Sequence, residues 1–511
     1  MPLKEEARTI LPKKTVSLCP KCLKKIPATL IEEDGQVIMK KECPDHGKFD
    51  DVYWSDAKMY QRAISWAHDG NGVENPRYPV KDGCPFDCGL CDVHLTPTVL
   101  ANIDVTNRCN LTCPICFANA AAQGYVFEPS FKEIVAMLRL LRENRPPTPA
   151  IQFSGGEPTI HPEFAAMIQE AKKLGFSQIQ VATNGIRLAD KKGYAQELVD
   201  AGLQTVYLQF DGLDDNIYVQ ARGKPLLQKK IKAIEACRQT RPKPLSTVLV
   251  PTIVNTINDD QIGKIIDFAI DNIDVIRGVN FQPVSFTGRI DDEERKKQRF
   301  TIPDLARCIQ EQTKGAIQKD DFYPVPSMAS LFDLASAMDG IGRASFTTHP
   351  CCGVATYIFV NGKEIIPITR FVDVDAFLQD AAAIAEKIKG KKTAKLSGMV
   401  RSLRLLHYID EKKKPKGLKI KDIMKEIIKN RDQTSLSGFH WKSLYIGSMH
   451  FQDAYNYDIE RVQRCAIHYA TPDGRIIPFC AYNAGPTYRE EVEKKFSVPL
   501  EEYRGGKNKS G

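Results

Sequence analysis

The chain of 511 residues is too long for one compact core, and its length predicts two or three domains. Its composition, 42% hydrophobic and 26% charged, is ordinary for a globular protein, and the absence of an apolar run of about 18 residues or of an apolar leader predicts a cytoplasmic protein. The net charge of +8 favours an anionic partner, such as nucleic acid, a phospholipid surface or a phosphorylated substrate, but identifies none of them.

Most of the 15 cysteines stand in close groups. In a reducing compartment, such groups predict metal ligands rather than disulfides. Only Cys237 and Cys308 stand alone, each in an apolar helical pattern, and we expect them to be small buried side chains.

Residues 15–54 form the first module. A CPKC segment and a CPDHG segment flank a hairpin-like stretch with Asp34 and Gly35 at its turn. This layout is typical of a zinc ribbon or a rubredoxin-like site, and tetrahedral thiolate sites suit either zinc or iron. A fourth cysteine from elsewhere would complete the shell as well as a histidine would. The predicted ligands are Cys19, Cys22, Cys43 and His46.

The spacing C-x3-C-x2-C occurs twice, which is a strong metal signal. The first triplet is Cys84, Cys88 and Cys91. The second is Cys109, Cys113 and Cys116. Three thiolates can hold three irons of a [4Fe–4S] cluster and leave the fourth iron open. Only the second triplet follows a strand pattern, so we assign the open cluster to it and an auxiliary cluster to the first.

Six strand-then-helix units follow one another between about residues 99 and 290. Such units predict parallel strands in an open or closed β/α barrel. The polar motifs of this region fall just after strands, at the carboxyl ends where these folds place their sites.

The region beyond residue 300 has weaker patterns. Residues 385–430 are strongly basic, and Val400, Leu403, Leu406 and Ile409 have helix-compatible spacing. This pattern predicts a basic amphipathic helix compatible with an anionic membrane surface; an ordinary solvated surface helix is the alternative.

Four further cysteines predict a second auxiliary cluster in the C-terminal part, with buried unmetallated thiols as the alternative. These cysteines are Cys351, Cys352, Cys465 and Cys480. The sequence does not decide how the adjacent pair divides between sites.

The segments RCNLTCPICF and SGGEP resemble the radical S-adenosylmethionine (SAM) superfamily over about residues 99–290. The resemblance implies a partial (β/α)6 barrel in which the Cys109 triplet binds the cluster that cleaves SAM to a 5′-deoxyadenosyl radical. It also implies a set of SAM-binding residues on the turns after the strands, although Asn184 with Gly185 is equally compatible with a simple turn. The implied SAM-binding residues are Phe117, Ser154, Gly155, Gly156, Glu157, Thr183, Asn184, Gln209, Asp211 and Gln282.

The whole cysteine inventory resembles the archaeal tetraether lipid synthases. That resemblance implies C–C bond formation between the terminal methyl carbons of isoprenoid chains of archaeal diether phospholipids. It also implies one SAM-cleaving and two auxiliary [4Fe–4S] clusters, SAM and a mononuclear iron or zinc. An electron donor such as ferredoxin and peripheral contact with the inner membrane face follow as expectations, and no nucleic acid is expected.

We therefore predict a metal-binding module with an auxiliary cysteine group over residues 1–98, a radical SAM core over 99–295 and an auxiliary-cluster and substrate domain over 296–511. A radical SAM methyltransferase acting on a tetrahydromethanopterin precursor is the alternative, which a small polar pocket would favour over a large apolar tunnel. A non-catalytic metal scaffold that binds nucleic acid is a distant third. No substrate residue is predicted; Arg222, Arg277 and Arg289 are candidate phosphate contacts, although such arginines are more often surface charges.

Overall fold

The computed structural model describes residues 11–116, 124–286, 292–362, 364–418, 443–485 and 488–507. The N-terminal module is an antiparallel sheet with its four strands in sequence order. Asp34 and Gly35 both have positive φ, 52° and 75°, which is the conformation that a two-residue hairpin turn requires. The predicted hairpin is therefore confirmed. The strands are β1 (Lys13–Leu18), β2 (Lys25–Glu33), β3 (Gln36–Cys43) and β4 (Gly47–Trp54), followed by helix α1 (Ala57–Ser65).

The six predicted strand-and-helix units are present and give the α/β fold that the sequence predicted. Their strands are β5 (Leu100–Thr106), β7 (Ala150–Gly155), β8 (Gln178–Thr183), β9 (Thr205–Gln209), β10 (Ser246–Val250) and β12 (Ile276–Pro283), with the short β6 (Tyr125–Phe127) and β11 (Thr252–Ile253) between them. Their helices are α2 (Phe131–Arg142), α3 (Phe164–Lys173), α4 (Ile186–Asp190), α5 (Tyr194–Ala201), α6 (Asp215–Arg222), α7 (Leu227–Arg238) and α8 (Ile262–Asp271).

The C-terminal part supplies more helices and extends the same sheet. Its helices are α9 (Asp292–Gln298), α10 (Ile302–Gln312), α11 (Ala329–Asp339), α12 (Val374–Ile388), α13 (Ala394–Ser402), α14 (Ile459–Gln463), α15 (Phe479–Ala484), α16 (Tyr488–Lys495) and α17 (Leu500–Lys507). Its strands are β13 (Tyr323–Pro324), β14 (Gly353–Asn361), β15 (Glu364–Pro367), β16 (Ser443–Met449), β17 (Ile467–Ala470), β18 (Ile476–Pro478) and β19 (Ser497–Pro499).

Strands from the C-terminal part flank the parallel core on both sides. β16 runs parallel to β12 at one side, and β17 runs parallel to β5 at the other. The strand order is β13-β14-β16-β12-β10-β9-β8-β7-β5-β17-β18. The predicted division at residue 295 therefore separates segments of sequence that share one sheet, and the three-domain division stays a prediction.

The two faces of this sheet differ in chemistry because side chains alternate along each strand. One face is apolar and packs under the helices in the main core, through residues such as Ile103, Phe153 and Val181. We call the opposite face the inner face. It carries Asn102, Asp104, Gln152, Ser154, Gln180, Tyr207, Gln209, Asn280, Gln282, Tyr357 and Tyr445.

The predicted amphipathic helix of the basic region is wrong in its extent. Helix α13 ends at Ser402, where a 3-10 segment (Leu403–Tyr408) begins, and Ile409 is buried instead of lying on an exposed stripe. Val400 and Leu403 are exposed, while residues 419–442 lie outside the described part. None of the helices in the described residues is both long and apolar enough to cross a membrane.

Candidate active site and metal centres

The N-terminal module brings its four predicted ligands together. The Sγ atoms of Cys19, Cys22 and Cys43 and a ring nitrogen of His46 all lie within 4.8 Å of one another. The Cys22 and Cys43 sulfurs are 3.8 Å apart, and His46 Nδ1 is 3.7 Å from Cys19 Sγ. This donor set fits a tetrahedral zinc or iron ion, and His46 takes the place that a distant fourth cysteine would otherwise fill.

The second cysteine triplet lies on the loop that leaves β5 at its carboxyl end. Cys109, Cys113 and Cys116 are all half-buried, so their thiols remain partly accessible to solvent at the carboxyl end of the parallel strands. Burial raises the pKa of Cys109 to about 12 and raises the pKa of Cys113, and metal binding would displace these protons. Three thiols on one accessible loop fit a [4Fe–4S] cluster that keeps one iron open.

The glycine turn after β7 packs directly on this cysteine loop. The Gly156 amide donates to the Thr106 carbonyl (2.7 Å), and the Glu157 amide donates to the Arg108 carbonyl (2.9 Å). A Cβ atom on Gly156 would lie 2.2 Å from the Arg108 carbonyl oxygen, and Gly155 has φ of 126°. Both positions therefore require glycine, and the two loops are held as one unit.

Glu157 connects this turn to the next one. Its carboxylate is 1% exposed and accepts hydrogen bonds from the Thr159 hydroxyl (2.6 Å), the Thr183 hydroxyl (2.7 Å) and the Asn184 amide (2.8 Å). These contacts fix the position of the Glu157 carboxylate between the two turns. They also place Thr183 and Asn184 beside the glycine turn.

Asn184 bridges to the cysteine loop, because its side-chain amide donates to Asn110 Oδ1 (2.7 Å). The fully buried Lys230 donates to the Asn184 carbonyl (2.6 Å) and to Gln209 Oε1 (3.1 Å). Burial lowers the pKa of Lys230 to about 8. Lys230 was not predicted as a site residue, since a lysine within a helical pattern gives no signal of burial.

Asp211 lies at the end of β9 but its carboxylate is engaged by the protein. Arg222 donates to both of its oxygens (2.7 and 2.8 Å), and the Thr252 amide donates to one of them (3.1 Å). Arg222 also donates to the Ile115 carbonyl in the cysteine loop (2.6 Å). Arg222 is buried, so it is neither a surface charge nor an exposed phosphate contact; the Asp211–Arg222 pair anchors the cysteine loop instead.

The other predicted SAM contacts lie on the same parallel strands or on the loops that follow them. Ser154 donates to Asp104 (2.7 Å), and both lie on the inner face beside the glycine turn. Gln282 lies half-buried on the inner face of β12. Phe117 lies outside the described residues. Direct contact of these residues with SAM stays a prediction.

The three cysteines of the first triplet, Cys84, Cys88 and Cys91, line the same small surface pocket. A hydrogen bond to Cys84 is the main cause that holds the pKa of Cys88 well above its usual range, and Cys465 adds to it, so Cys465 also lies near this group.

The C-terminal cysteines separate into two environments. Cys352 and Cys480 lie close enough to Cys465 to raise its pKa further, after burial as the largest cause. Cys351, in contrast, is fully buried in the main apolar core with Tyr60 of α1. Cys352, Cys465 and Cys480 therefore lie near one another, and Cys351, although packed in the core, lies beside Cys352.

The sequence of this chain is similar to known protein families and to individual proteins. Residues 103–269 match the Radical SAM superfamily, and residues 11–55 match the HMPTM N-terminal zinc ribbon domain. A 7,8-dihydro-6-hydroxymethylpterin dimethyltransferase of Methanocaldococcus jannaschii is 50% identical over 498 residues, 96% of this chain and 97% of the relative. A GTP 3′,8-cyclase of Clostridium acetobutylicum is 24% identical over 315 residues, 59% of this chain and 91% of the relative.

Among solved structures, the crystal structure of Streptococcus suis SuiB bound to precursor peptide SuiA matches with a TM-score of 0.35 and 19% identity, over 43% of this chain and 46% of that protein. The sequence comparisons correct one prediction. The relative that is half identical over nearly the whole chain is named for a pterin reaction, so the predicted tetraether lipid synthesis, with its lipid substrate, is wrong.

Proposed function

This chain belongs to the radical SAM superfamily, within the family of the Methanocaldococcus dimethyltransferase, and on that premise we propose that it attaches methyl groups to a reduced pterin that bears a hydroxymethyl group. The observation that carries the proposal is 50% identity to that relative over 96% of the chain. When bound at the Cys109 loop, the [4Fe–4S] cluster supplies the electron that cleaves SAM to a 5′-deoxyadenosyl radical. An external electron donor must reduce it, and ferredoxin is our proposal for that donor.

The polar side chains of the inner face favour a small polar substrate over an apolar one. Three of its side chains form a hydrogen-bonded row across neighbouring strands, in which Gln180 donates to Gln152 (3.1 Å) and Gln152 donates to Asn102 (2.9 Å). Tyr207 and Tyr445 lie on the same face, and burial raises the pKa of Tyr207 to about 12, so its phenol stays protonated. A hydrocarbon chain could not pair with the remaining donors and acceptors of these side chains, whereas the amide and amine edges of a pterin can.

Two asparagines are the best candidates for hydrogen bonding to the pterin ring. Asn102 Nδ2 and Asn280 Oδ1 are buried and have no hydrogen-bond partner within the described residues. One is a donor and the other an acceptor. A buried polar atom without a partner is costly, so each gains most from a ligand that supplies the complementary group.

The remaining metal sites complete the proposal. The N-terminal module holds a mononuclear metal through Cys19, Cys22, Cys43 and His46. We assign auxiliary iron–sulfur groups to the two further thiol clusters. Those clusters are Cys84, Cys88 and Cys91, and Cys352, Cys465 and Cys480. A cytoplasmic location belongs to the proposal because reduced thiols are needed to bind iron.

The test uses the full chain, loaded anaerobically with iron and sulfide and reduced with dithionite. 7,8-Dihydro-6-hydroxymethylpterin should accelerate formation of 5′-deoxyadenosine and give pterins heavier by one and two methyl groups. SAM labelled in its methyl group identifies the methyl source, and a clarified cell extract supplies any other donor. Cys113→Ala should abolish SAM cleavage, while Asn280→Leu should keep cleavage without pterin but weaken pterin binding at least tenfold. Failure of the pterin to bind or to change cleavage would rule out the proposed substrate.

A further inference from the structure

Arg461, on the short helix α14, is a buried cation without a matching anion. Its side chain is 2% exposed, and Nη2 donates to the His450 carbonyl (2.5 Å). Its Nε and Nη1 groups have no hydrogen-bond partner within the described residues. No carboxylate among the described residues forms an ion pair with the Arg461 guanidinium.

Burying an unpaired guanidinium is unfavourable by several kcal/mol. The fold avoids this cost elsewhere: Arg299 is equally buried but donates to the carboxylates of Asp51 (2.9 Å) and Asp453 (2.7 Å). Arg461 therefore lies where a negative charge is expected but where no acidic side chain supplies it.

Cys352 and Cys480, from separate segments, lie near this arginine, and Cys465 lies near both of them. The His450 amide donates to the Cys352 carbonyl (3.0 Å), and the Gln452 amide donates to Cys480 Sγ (3.4 Å). Cys465 follows α14 directly, in the turn that closes that helix. The short segment His450–Gln452 therefore contacts Arg461, Cys352 and Cys480 together.

We propose that Arg461 is a positioning residue that neutralises an anionic iron–sulfur group held by Cys352, Cys465 and Cys480 and thereby raises the reduction potential of that group. Thiolate-ligated iron–sulfur clusters carry net negative charge, so adding an electron in a buried site is favoured by a nearby cation. The inference rests on the proposed metal role of these three thiols and is independent of the pterin.

The first test measures the potential in the loaded full chain. Cys109, Cys113 and Cys116 are changed to Ala to remove the signal of the SAM-cleaving cluster, and Cys88→Ala in the same background identifies the signal of the other auxiliary group. In a titration with dithionite as the electron source, followed by electron paramagnetic resonance, Arg461→Met should make one-electron reduction at least tenfold less favourable, about 59 mV more negative. Arg461→Lys should restore most of the loss. Arg238→Gln is the control, because its charge is paired with Asp274 and Glu235 far from the thiols.

The second test compares urea unfolding midpoints with and without metal. If Arg461 only packed against its neighbours, its replacement should destabilise both the metal-loaded and the metal-free chain. We expect Arg461→Met to lower the midpoint of the loaded chain but to leave the metal-free midpoint unchanged or raised, since the unpaired charge is removed. An unchanged potential, or equal destabilisation of both forms, would overturn the role of Arg461. Cys480→Ala separates the two proposals: if it keeps the same iron content and signal, the thiol assignment fails while pterin methylation stands.

Discussion

Loss of the buried ion pair between Arg222 and Asp211 should weaken both the fold and the cysteine loop. The guanidinium holds both carboxylate oxygens at 2.7 and 2.8 Å, and a third contact at 2.6 Å reaches the Ile115 carbonyl between Cys113 and Cys116. Arg222→Met keeps much of the side-chain length but leaves the Asp211 charge buried, with the Thr252 amide as its remaining hydrogen-bond donor in the described residues and Lys230 as a nearby cation.

The expected cost is about 3–5 kcal/mol, which is typical when one partner of a buried ion pair is removed. Asp211 is fully buried and Arg222 is 6% exposed, so solvent cannot screen the remaining charge. Adding Asp211→Asn should recover roughly half of that loss, because the amide oxygen still accepts from Thr252 while the buried charge disappears.

Urea unfolding midpoints of the two variants and the wild type measure the stabilities, and iron and acid-labile sulfide per chain measure occupancy of the Cys109 loop. Iron should fall in both variants, because both lose the Ile115 contact. Equal stability of the single and double variants, or full iron occupancy in both, would refute the anchoring role.

Three further predictions concern other parts of the site. Gly156→Ala should reduce SAM affinity at least tenfold in a binding titration, because its Cβ would press on the Arg108 carbonyl; Gly342→Ala, whose Cβ has its nearest neighbour at 4.0 Å, should have no effect, and equal behaviour of the two would contradict the packing argument. Cys43→Ser should remove about one equivalent of zinc or iron per chain by elemental analysis without changing SAM cleavage, and retained metal would show that the N-terminal site is held differently. Burial lowers the pKa of Lys230 to about 8, below its ordinary value of about 10.4, so between these values the unfolded chain binds more protons and stability should rise with pH. From pH 8 to 10, the free energy of unfolding from urea titrations should rise on the order of 2 kcal/mol more in the wild type than in Lys230→Met, and parallel profiles would disprove the linkage.

Local patterns predicted much of the fold. Hydrophobic periodicity located all six strand-and-helix units, and the Asp34-Gly35 turn located the N-terminal hairpin, because these signals act over a few residues. The position of the polar motifs after strands likewise predicted that the cysteine loop and the glycine turn lie at the carboxyl ends of the strands.

Long-range partners could not be predicted from the sequence. Arg222, Lys230 and Arg461 look like ordinary charged helix residues, and only the tertiary fold makes them buried. Cys351 and Cys352 are neighbours in sequence, yet Cys351 is buried in the main core whereas Cys352 is half-buried near Cys465. The lipid prediction failed for a related reason. The inner face is polar because side chains alternate along each strand, and the sequence alone did not show which strands lie side by side to form that face.

The flanking of the core by β16 and β17 has a consequence for biosynthesis. When the ribosome has made only the first 300 or so residues, β5 and β12 expose unpaired backbone edges that invite association with other nascent chains. The sheet is completed only after residues 443–470 emerge, late in translation. A gene truncated after the sixth unit should therefore yield insoluble product.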